Sequence, residues 1–564
     1  MVTTRFYDDK ARVIQTKSEN VLAGCDILTT QYSFNGQPLM TVMRQQKPGA
    51  NAQNSIIVTR LSYDDLWRVV KTEKKVRHNL VNSDAMPEDW TVVSELEYDK
   101  LGQIKTKKIG SKKGGNGAYT GDPIEIQTHS FNIRGWTLGL NREEELTSNG
   151  QGTRYFSFEL GYDKLTNAGG RNFTTARYDG NISGMIWKSY GDGIRRKYDY
   201  HYDNSRRMMK ALFEQNDQGS TWGKDQVDLS VLMGENGENP ELAYDANGNI
   251  KRMQQWGLKV TGPDKIDDLE YLYYNNSNKL KKVTDYAAGG TPPSGPGPVL
   301  GDFSDRNTLS DDYGYDLNGN LVTDLNKRIN GTTGEYITTG GAITYNHLNL
   351  PEVISFKKDD GTDKGSITYV YDASGNKLKK ITVDESIAGK EIVTTITYIG
   401  GFVYESRATT PADTDNPDYT DVLKFISHEE GRIRFTEAAG TTPAKLHYDY
   451  FLKDYLGNVR MVLTEEQQQY VYPAATLEGS ITNPSDAVFI ENQFFSIDQN
   501  NIVNKHVSMP DYLNKNGGPN AMDPPVNNNP NSNVTANSQM VYKLQASTGG
   551  GSTGLGFALG DGRR

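Results

Sequence analysis

The stretch "YDANGNI", residues 244–250, decides the fold because near-copies of it recur along the 564-residue chain. They read "YDLNGNL" at 315–321, "YDASGNKL" at 371–378 and "YDKLGQI" at 98–104. A phrase that recurs at a spacing of a few tens of residues is typical of a serial repeat architecture. The repeats therefore predict one structural unit that is used many times.

Each copy is predicted to be the loop of a β-hairpin. Asp245 can accept hydrogen bonds from backbone N–H groups just ahead of it, Ala246 and Asn247 suit the αR positions of a type I turn, and Gly248 suits the position with positive φ. A type I turn closed by an αL residue is a common three-residue hairpin loop with a bulge. The tyrosine then marks the end of one strand and Ile250 the start of the next. The predicted turn residues of the four clearest copies are Tyr98, Asp99 and Gly102; Tyr244, Asp245 and Gly248; Tyr315, Asp316 and Gly319; and Tyr371, Asp372 and Gly375.

The imperfect copies test this turn assignment. One copy places Asn349 at the glycine position, and asparagine tolerates positive φ. Two others place Trp67 and Arg206 there, which predicts a different turn geometry for those loops. A further repeat is predicted to start at Tyr274, and the shortened copy at 178–185 predicts a tighter two-residue turn.

A calcium loop is the alternative interpretation of "DANGN", because Asp245, Asn247 and Asn249 occupy alternate positions. An EF-hand loop needs glycine at its sixth position and glutamate at its twelfth. Here the glycine is fourth and the twelfth position is Trp256, so the hairpin is favoured. The seven histidines are scattered without metal-binding spacing, and the sequence predicts neither a metal site nor a cofactor.

Composition favours a thin, turn-rich β structure. Apolar residues make up 35% of the chain and the mean hydropathy is −0.67, yet there are 33 Tyr and 57 Gly. The net charge of −10 and the lack of a basic block argue against nucleic acid as a partner. No window reaches the roughly 18 apolar residues of a membrane helix, so no membrane-spanning segment is predicted. The single cysteine, Cys25, excludes an intrachain disulfide.

The predicted fold class is all-β, with serial hairpins that form a large curled or spiral sheet, shell-like or barrel-like, and an irregular C-terminal β region. About two dozen strands exceed the roughly ten that a twisted open sheet holds before it curls or splits. A wall that is wetted on both faces needs fewer aliphatic residues than stacked sandwiches do. The predicted regions are repeats at 1–286, a Gly/Pro-rich insertion or linker at 287–312, further repeats at 313–440, a distinct signature at 441–466 and an Asn-rich region with short strands at 467–564.

The signature carries a family resemblance. Together with the repeats, "LHYDYFLKDYLGNVRMVLTEE" at 446–466 resembles the RHS/YD-repeat proteins and their RHS repeat-associated core, and "FNIRGWTLGLN" at 131–141 is similar to a segment common in Bacteroidetes members. The resemblance covers roughly residues 1–470. Tyr455 replaces the usual histidine of the signature. The matching positions are Asp454, Leu456, Gly457, Asn458, Val459 and Arg460.

The resemblance implies a spiral of β-hairpins that closes into a shell around a C-terminal toxin domain, with the core near the end of the shell. Family members that cleave themselves carry Asp-Pro-x-Gly after the core, whereas Asp523-Pro524-Pro525 lacks the glycine, so no protease site is assigned. Nothing after residue 470 resembles a toxin domain. The expected partner, the chain's own toxin domain, is thus missing from this sequence, and Tyr7-Asp8, which lie in mid-repeat, suggest a fragment of a longer protein.

The function expected from the sequence is a non-enzymatic shell or scaffold of a secreted or surface-delivered polymorphic toxin. The alternative is a cell-surface adhesin or carbohydrate-binding protein whose Tyr and Trp side chains stack on sugars. A glycosidase is a third class, but the acidic pairs Glu429-Glu430 and Asp311-Asp312 are adjacent and sit in loops. No catalytic residue is assigned.

Arg460 is the residue of the signature with a specific expected role. It enters an otherwise apolar strand between Val459 and Met461, where a guanidinium is costly unless its donors are paired. It is expected to tie the core to the neighbouring turn of the sheet. An outward-facing strand arginine is the alternative.

Overall fold

The computed structural model describes most of the chain up to residue 466 and short segments after it. The described residues are 2–49, 51–114, 117–150, 152–217, 221–259, 262–287, 301–440, 442–466, 480–486, 488–489, 492, 495–504, 540–542 and 556–557. Contacts divide the chain into two units, Met1–Glu466 and Gln467–Arg564.

The first unit begins with a sheet of 19 strands. The strands pair antiparallel in chain order, except that β14 pairs with both β15 and β16, and β16 then pairs with β17. The strands are β1 Thr3–Tyr7, β2 Val13–Glu19, β3 Cys25–Tyr32, β4 Pro38–Lys47, β5 Gln53–Tyr63, β6 Val69–His78, β7 Thr91–Tyr98, β8 Ile104–Ile109, β9 Glu125–Phe131, β10 Thr137–Leu140, β11 Phe156–Gly161, β12 Gly184–Ser189, β13 Arg195–Tyr202, β14 Met208–Asp217, β15 Thr221–Gly223, β16 Val231–Met233, β17 Arg252–Lys259, β18 Gly262–Tyr273 and β19 Leu280–Asp285.

A two-stranded sheet and a second large sheet of 10 strands follow in the same unit. The small sheet consists of β20 Tyr313–Tyr315 and β21 Leu321–Asp324. The second sheet again pairs in chain order. Its strands are β22 Ile343–Tyr345, β23 Pro351–Lys357, β24 Asp363–Tyr371, β25 Lys377–Asp384, β26 Glu391–Ile399, β27 Phe402–Thr410, β28 Tyr419–His428, β29 Gly431–Thr436, β30 Lys445–Lys453 and β31 Val459–Thr464. The prediction of an all-β chain of serial hairpins is confirmed.

Helices are short in the described chain. α1 is Arg142–Glu145, α2 is Pro240–Ala243, and 3₁₀ turns occur at Asn82–Asp84, Leu325–Lys327 and Gln499–Asn501. α2 corrects the expectation that a strand leads into Tyr244: Pro240 sits in the first turn and Asn239 accepts the backbone N–H of Glu241 at 2.9 Å, which is a helix N-terminus. None of the described helices is long and apolar enough to span a bilayer.

The main core lies between the two large sheets. Its largest buried side chains include Phe156 of β11 and, from the second sheet, Phe402, Tyr404 and Tyr450. Tyr404 also donates its hydroxyl to the Gln45 side chain of β4 at 2.5 Å. The chain therefore folds back so that the later strands β26–β31 pack against the earlier sheet.

Other strands have little buried surface, which explains the low apolar content. All five residues of β1 are exposed, and β24 and β25 contain no buried residue. Such strands hold their position through ladder hydrogen bonds and cross-strand pairs rather than through a thick core.

The second unit is described only in part. Its strands pair as β32 Phe495–Ser496 with β35 Gly556–Phe557 and as β33 Ile502–Asn504 with β34 Met540–Tyr542. Short strands were predicted here. The Asp523-Pro524-Pro525 stretch lies outside the described residues.

The predicted insertion at 287–312 is also described in part, because 288–300 lie outside the described residues. The stretch 301–312 contains no strand, and the Phe303 N–H donates to the Asp267 carboxylate of β18 at 2.8 Å. The domain division remains a prediction.

Candidate functional site

The repeat loops have the predicted three-residue geometry with a bulge. The Asp245 N–H donates to the Asn249 carbonyl at 2.9 Å, and the Gly248 N–H donates to the Asp245 carbonyl at 3.1 Å. Gly248 has φ 88°. The other predicted glycines, Gly102, Gly319 and Gly375, have φ values of 83°, 85° and 84°.

The repeat aspartate organises its loop from the centre. One carboxylate oxygen of Asp245 accepts the N–H groups of Asn247 and Asn249, both at 2.8 Å, and the other accepts the Asn249 side chain at 2.7 Å. The loop thus satisfies donors that no strand partner reaches. The same pair of backbone bonds forms at Asp99, Asp316 and Asp372.

The repeat tyrosine joins one hairpin to the one before it. The hydroxyl of Tyr98 donates to the carbonyl of Val69, the residue at which the chain leaves the preceding loop, at 2.8 Å. We call this series the tyrosine ladder. Its other members, each donating to the named carbonyl, are Tyr32 to Val13, Tyr63 to Pro38, Tyr202 to Ile182, Tyr244 to Met208, Tyr273 to Ile250, Tyr315 to Leu280, Tyr345 to Leu321 and Tyr371 to Pro351.

An arginine reinforces the ladder where it replaces the second asparagine of the loop. Arg68 pairs with Asp64 at 2.7 Å, and its guanidinium lies 4.3 Å from the ring centre of Tyr98 in the next repeat. Arg12 and Arg207 are placed in the same way. Cation–π contacts of this kind add attraction between successive loops.

The prediction of a different turn at Trp67 and Arg206 is wrong. Trp67 has φ 61° and Arg206 has φ 65°, and both loops keep the standard hydrogen bonds, with each N–H donating at 3.0 Å to the carbonyl of Asp64 or Asp203. A non-glycine αL residue costs on the order of 1 kcal/mol. The ion pair between the following arginine and the loop aspartate, Arg68 with Asp64 and Arg207 with Asp203, offsets that cost.

Two repeat positions also need correction. Tyr273 rather than Tyr274 is the ladder tyrosine, because Tyr274 takes the aspartate position and its N–H donates to the Lys279 carbonyl at 3.0 Å. No strand ends at Tyr178, which is 72% exposed, and the next strand starts at Gly184. The two-residue hairpin turn predicted at 178–185 is therefore wrong.

Five residues of the core signature, all except Val459, meet at one hairpin loop. One oxygen of Asp454 accepts the N–H groups of Leu456 and Asn458, both at 2.9 Å. The other accepts Nε and Nη2 of Arg460 at 2.8 and 2.7 Å. Gly457 has φ 86°. Burial opposes ionisation, but bonds from the Asn458 and Arg460 side chains hold the pKa of Asp454 below its usual range.

The ion pair of Arg460 lies within its own hairpin, and its expected role as a tie to the neighbouring turn stays a prediction. Its side chain is 50% exposed, whereas that of Asp454 is fully buried. Tyr455 contacts the first sheet, since its ring centre lies 6.0 Å from that of Phe158 on β11. Arg460 is close enough to interact electrostatically with Tyr198 and Tyr200 of β13.

We call the contact region between the two large sheets the seam, and Glu465 is a buried acid within it. It accepts the hydroxyl of Tyr450 at 2.5 Å and that of Tyr119, from the β8–β9 connection, at 2.9 Å. Lys113 lies 3.2 Å from it. Burial raises the pKa of Glu465 despite these partners. The end of the second sheet is thus fixed to the first by a satisfied polar cluster.

Two ion pairs extend the seam. Lys74 of β6 lies 3.0 Å from Glu429, and Lys107 of β8 lies 3.0 Å from Glu430. The acidic pair considered for a glycosidase therefore contacts lysines of the opposite sheet. Sequence reasoning missed the seam because its members are more than 300 positions apart.

One acidic group has the composition of a cation site. Carboxylate oxygens of Asp267, Asp285 and Asp302 lie within 4.8 Å of one another. Burial, with the neighbouring charges of Asp285 and Asp302, raises the pKa of Asp267 to about 6. Backbone N–H groups already bind two members, from Phe303 to Asp267 and from Asp268 to Asp285. These backbone hydrogen bonds give the three carboxylates a structural explanation that needs no cation.

Comparison with known proteins gives structural matches only. No protein-family model matches the sequence, and no curated protein matches it. The crystal structure of TcdB2-TccC3 aligns with 83% of this chain at 12% identity and a TM-score of 0.34. This chain covers 24% of that chain, so it spans about a quarter of its length. A porin-like protein from Bacteroides uniformis aligns with 66% of this chain and is covered over 95% of its own length, at 11% identity and a TM-score of 0.16.

Proposed function

We propose that this chain is a non-enzymatic wall module of an RHS-type toxin, secreted or delivered at the cell surface, which surrounds an effector domain. The observation that supports the proposal most is the tyrosine ladder, in which each hairpin is bonded to the previous one through the residue that names the repeat. A structure assembled hairpin by hairpin can extend without a thick core. The core signature at 454–460 adds the sequence resemblance.

The seam gives the wall a physical means of closure. Buried aromatic residues, a satisfied Glu465 cluster and two ion pairs join strands that are far apart in sequence. A container must resist opening along such a contact, and buried polar networks resist it when every member is paired. The proposed enclosure of an effector rests on this arrangement together with the family resemblance.

A protease-protection experiment tests the enclosure. A small protease-sensitive reporter domain is fused after Arg564, and the matched control carries the same reporter before Met1, next to the fully exposed β1. The C-terminal reporter is expected to survive digestion that removes the N-terminal one. Equal digestion of the two reporters would contradict the enclosing role. Small-angle scattering adds a check, since a solid globule of this length has a radius of gyration of roughly 24 Å and a hollow wall must exceed it.

A carbohydrate-binding adhesin is the second candidate, and exposed aromatic residues on adjacent hairpin loops favour it. Phe34 is 87% exposed and Trp67 is 46% exposed. Sugar rings stack on such faces. Binding on a glycan array that is lost in the Phe34→Ala/Trp67→Ala variant would support adhesion, and the absence of binding to any glycan would count against it.

A further inference from the structure

A cleft of about 820 Å³ lies beside the small sheet β20–β21, between the end of the first sheet and the start of the second. This volume is in the range of small-molecule sites in proteins. The cleft shares Tyr315, Leu280 and Leu321 with the tyrosine ladder, but none of the seam residues named above lines it. Its apolar wall consists of Leu280, Phe303, Tyr313, Tyr315, Leu321 and Phe356.

The apolar side of the cleft is mainly aromatic, and two of its tyrosine side chains are held in place by their surroundings. Tyr313 is 8% exposed, and the hydroxyl of Tyr315 is engaged at 2.9 Å by the Leu280 carbonyl as a member of the tyrosine ladder. Tyr315 therefore offers its ring rather than its hydroxyl to a ligand. Flat aromatic groups pack well among such rings.

The charged residues of the cleft are mostly cationic. Arg306, Lys327, Arg328 and Lys364 line it, against the acids Asp302 and Asp324. Asp324 is already occupied, since it accepts the Lys327 N–H at 3.2 Å and lies 3.4 Å from the Lys327 ammonium. The surplus of positive charge contrasts with the chain as a whole, whose net charge is −10.

Arg328 is a cation of the cleft that is partly paired. One end of its guanidinium pairs with Asp359 at 2.5 Å, but its Nε is buried and makes no hydrogen bond. A carboxylate is the group that guanidinium donors bind best.

We propose that this cleft binds an aromatic carboxylate, with the anionic group at Arg328 and Arg306 and the ring between Phe303 and Phe356. A carboxylate fits better than a polyphosphate because Asp302, Asp324 and Asp359, the partner of Arg328, reduce the charge of the four cations to about that needed for one small anion. This site is independent of the proposed wall function. The cleft would bind a small molecule even though the proposed role of the protein is structural.

Calorimetric titration of the full chain with 2-naphthoate tests the proposal, with 2-naphthamide as the neutral probe of the same size. The acid is expected to bind at one site and at least about tenfold more tightly than the amide, because a charge-assisted bond is lost in the amide. The Arg306→Gln/Lys364→Gln variant is expected to lose about tenfold in affinity for the acid. The control variant Arg134→Gln/Lys100→Gln, which changes exposed residues of other loops, should bind as the parent does.

A salt series on the parent chain keeps the test independent of any variant's folding. Raising the salt from about 50 mM to about 500 mM should weaken binding of the acid and leave binding of the amide unchanged. The proposal is wrong if acid and amide bind equally, if salt affects both alike, or if the acid shows no binding up to about 1 mM. It is also wrong if the folded cleft variant, verified by circular dichroism, binds the acid as tightly as the parent does.

Discussion

Tyr371 donates its hydroxyl to the carbonyl oxygen of Pro351 at 3.0 Å, which bonds the tip of one hairpin to the tip of the hairpin before it. Pro351 is also the residue that pairs across the strands with Tyr345, the tyrosine of that earlier hairpin. Each tyrosine therefore ends the first strand of its own hairpin, and its hydroxyl bonds that hairpin to the previous one. This double use explains why the repeat specifies tyrosine rather than phenylalanine.

Tyr98→Phe is expected to lower the stability of the chain by about 1 kcal/mol, because it removes the bond to Val69 and leaves that carbonyl unpaired. Hydrogen exchange should rise locally at the β5–β6 loop. The matched control is Tyr178→Phe, at a tyrosine that is 72% exposed and outside the ladder. Equal effects of the two substitutions would contradict a specific role of the hydroxyl.

At two positions with αL backbone conformation, substitutions are expected to change the stability of the chain in opposite directions. Gly457→Val should destabilise by on the order of 1 to 3 kcal/mol, through its φ of 86° alone, since a Cβ there meets nothing within 4 Å. Arg206→Gly should stabilise by up to about 1 kcal/mol, because it relieves φ 65°. Arg134→Gly, at a loop position outside the positive-φ residues, is the control and should destabilise slightly. Urea unfolding midpoints measure all three, and a lowered midpoint for Arg206→Gly would contradict the assignment.

The hairpin series was predictable because its signal is local: aspartate, glycine and the following strand lie within seven residues of one another. Trp67 and Arg206 defeated the prediction because a neighbouring arginine, not the residue itself, stabilises their loops. The partner of Tyr98 is Val69, in the preceding repeat, and that of Glu465 is Tyr119, so neither could be found from turn chemistry. Spacing alone cannot say which faces of distant strands will meet.

Asp454 should matter more than Arg460 to the core loop. Asp454→Ala leaves the N–H groups of Leu456 and Asn458 without their acceptor and should cost about 1 to 3 kcal/mol. Arg460→Ala removes only an ion pair that is half exposed on the arginine side and should cost less than about 1 kcal/mol. Thermal melting of the two variants compares them directly. A larger loss for Arg460→Ala would support a role for that residue beyond its own loop.

Glu125 predicts a pH dependence of stability. Burial, with the nearby charge of Glu145, raises the pKa of Glu125 to about 7 from about 4.5. A carboxyl whose pKa is raised by folding contributes stability that is fully present below pH 4.5 and is lost as the pH rises through 7. The parent should therefore lose on the order of 2 to 3 kcal/mol relative to Glu125→Gln between those limits. Denaturant unfolding of both at several pH values measures the difference, and parallel pH profiles would refute the assignment.

Reversing the charges of the seam ion pair Lys107–Glu430 tests whether this pair holds the two sheets together or acts only as an ordinary surface ion pair. Lys107→Glu places two carboxylates together at a contact where both side chains are largely buried, 21% and 17% exposed, and should cost on the order of 1 to 3 kcal/mol. Adding Glu430→Lys should recover more than half of that loss, because the attraction is restored with reversed sign. The control is the same swap at Arg171, which is 50% exposed in the β11–β12 connection, and Glu214 of β14, a pair that does not join the two large sheets. There each change should stay below about 1 kcal/mol. Limited proteolysis and thermal melting follow the opening of the contact, and a double variant no more stable than Lys107→Glu alone would show that this pair does not hold the two sheets together.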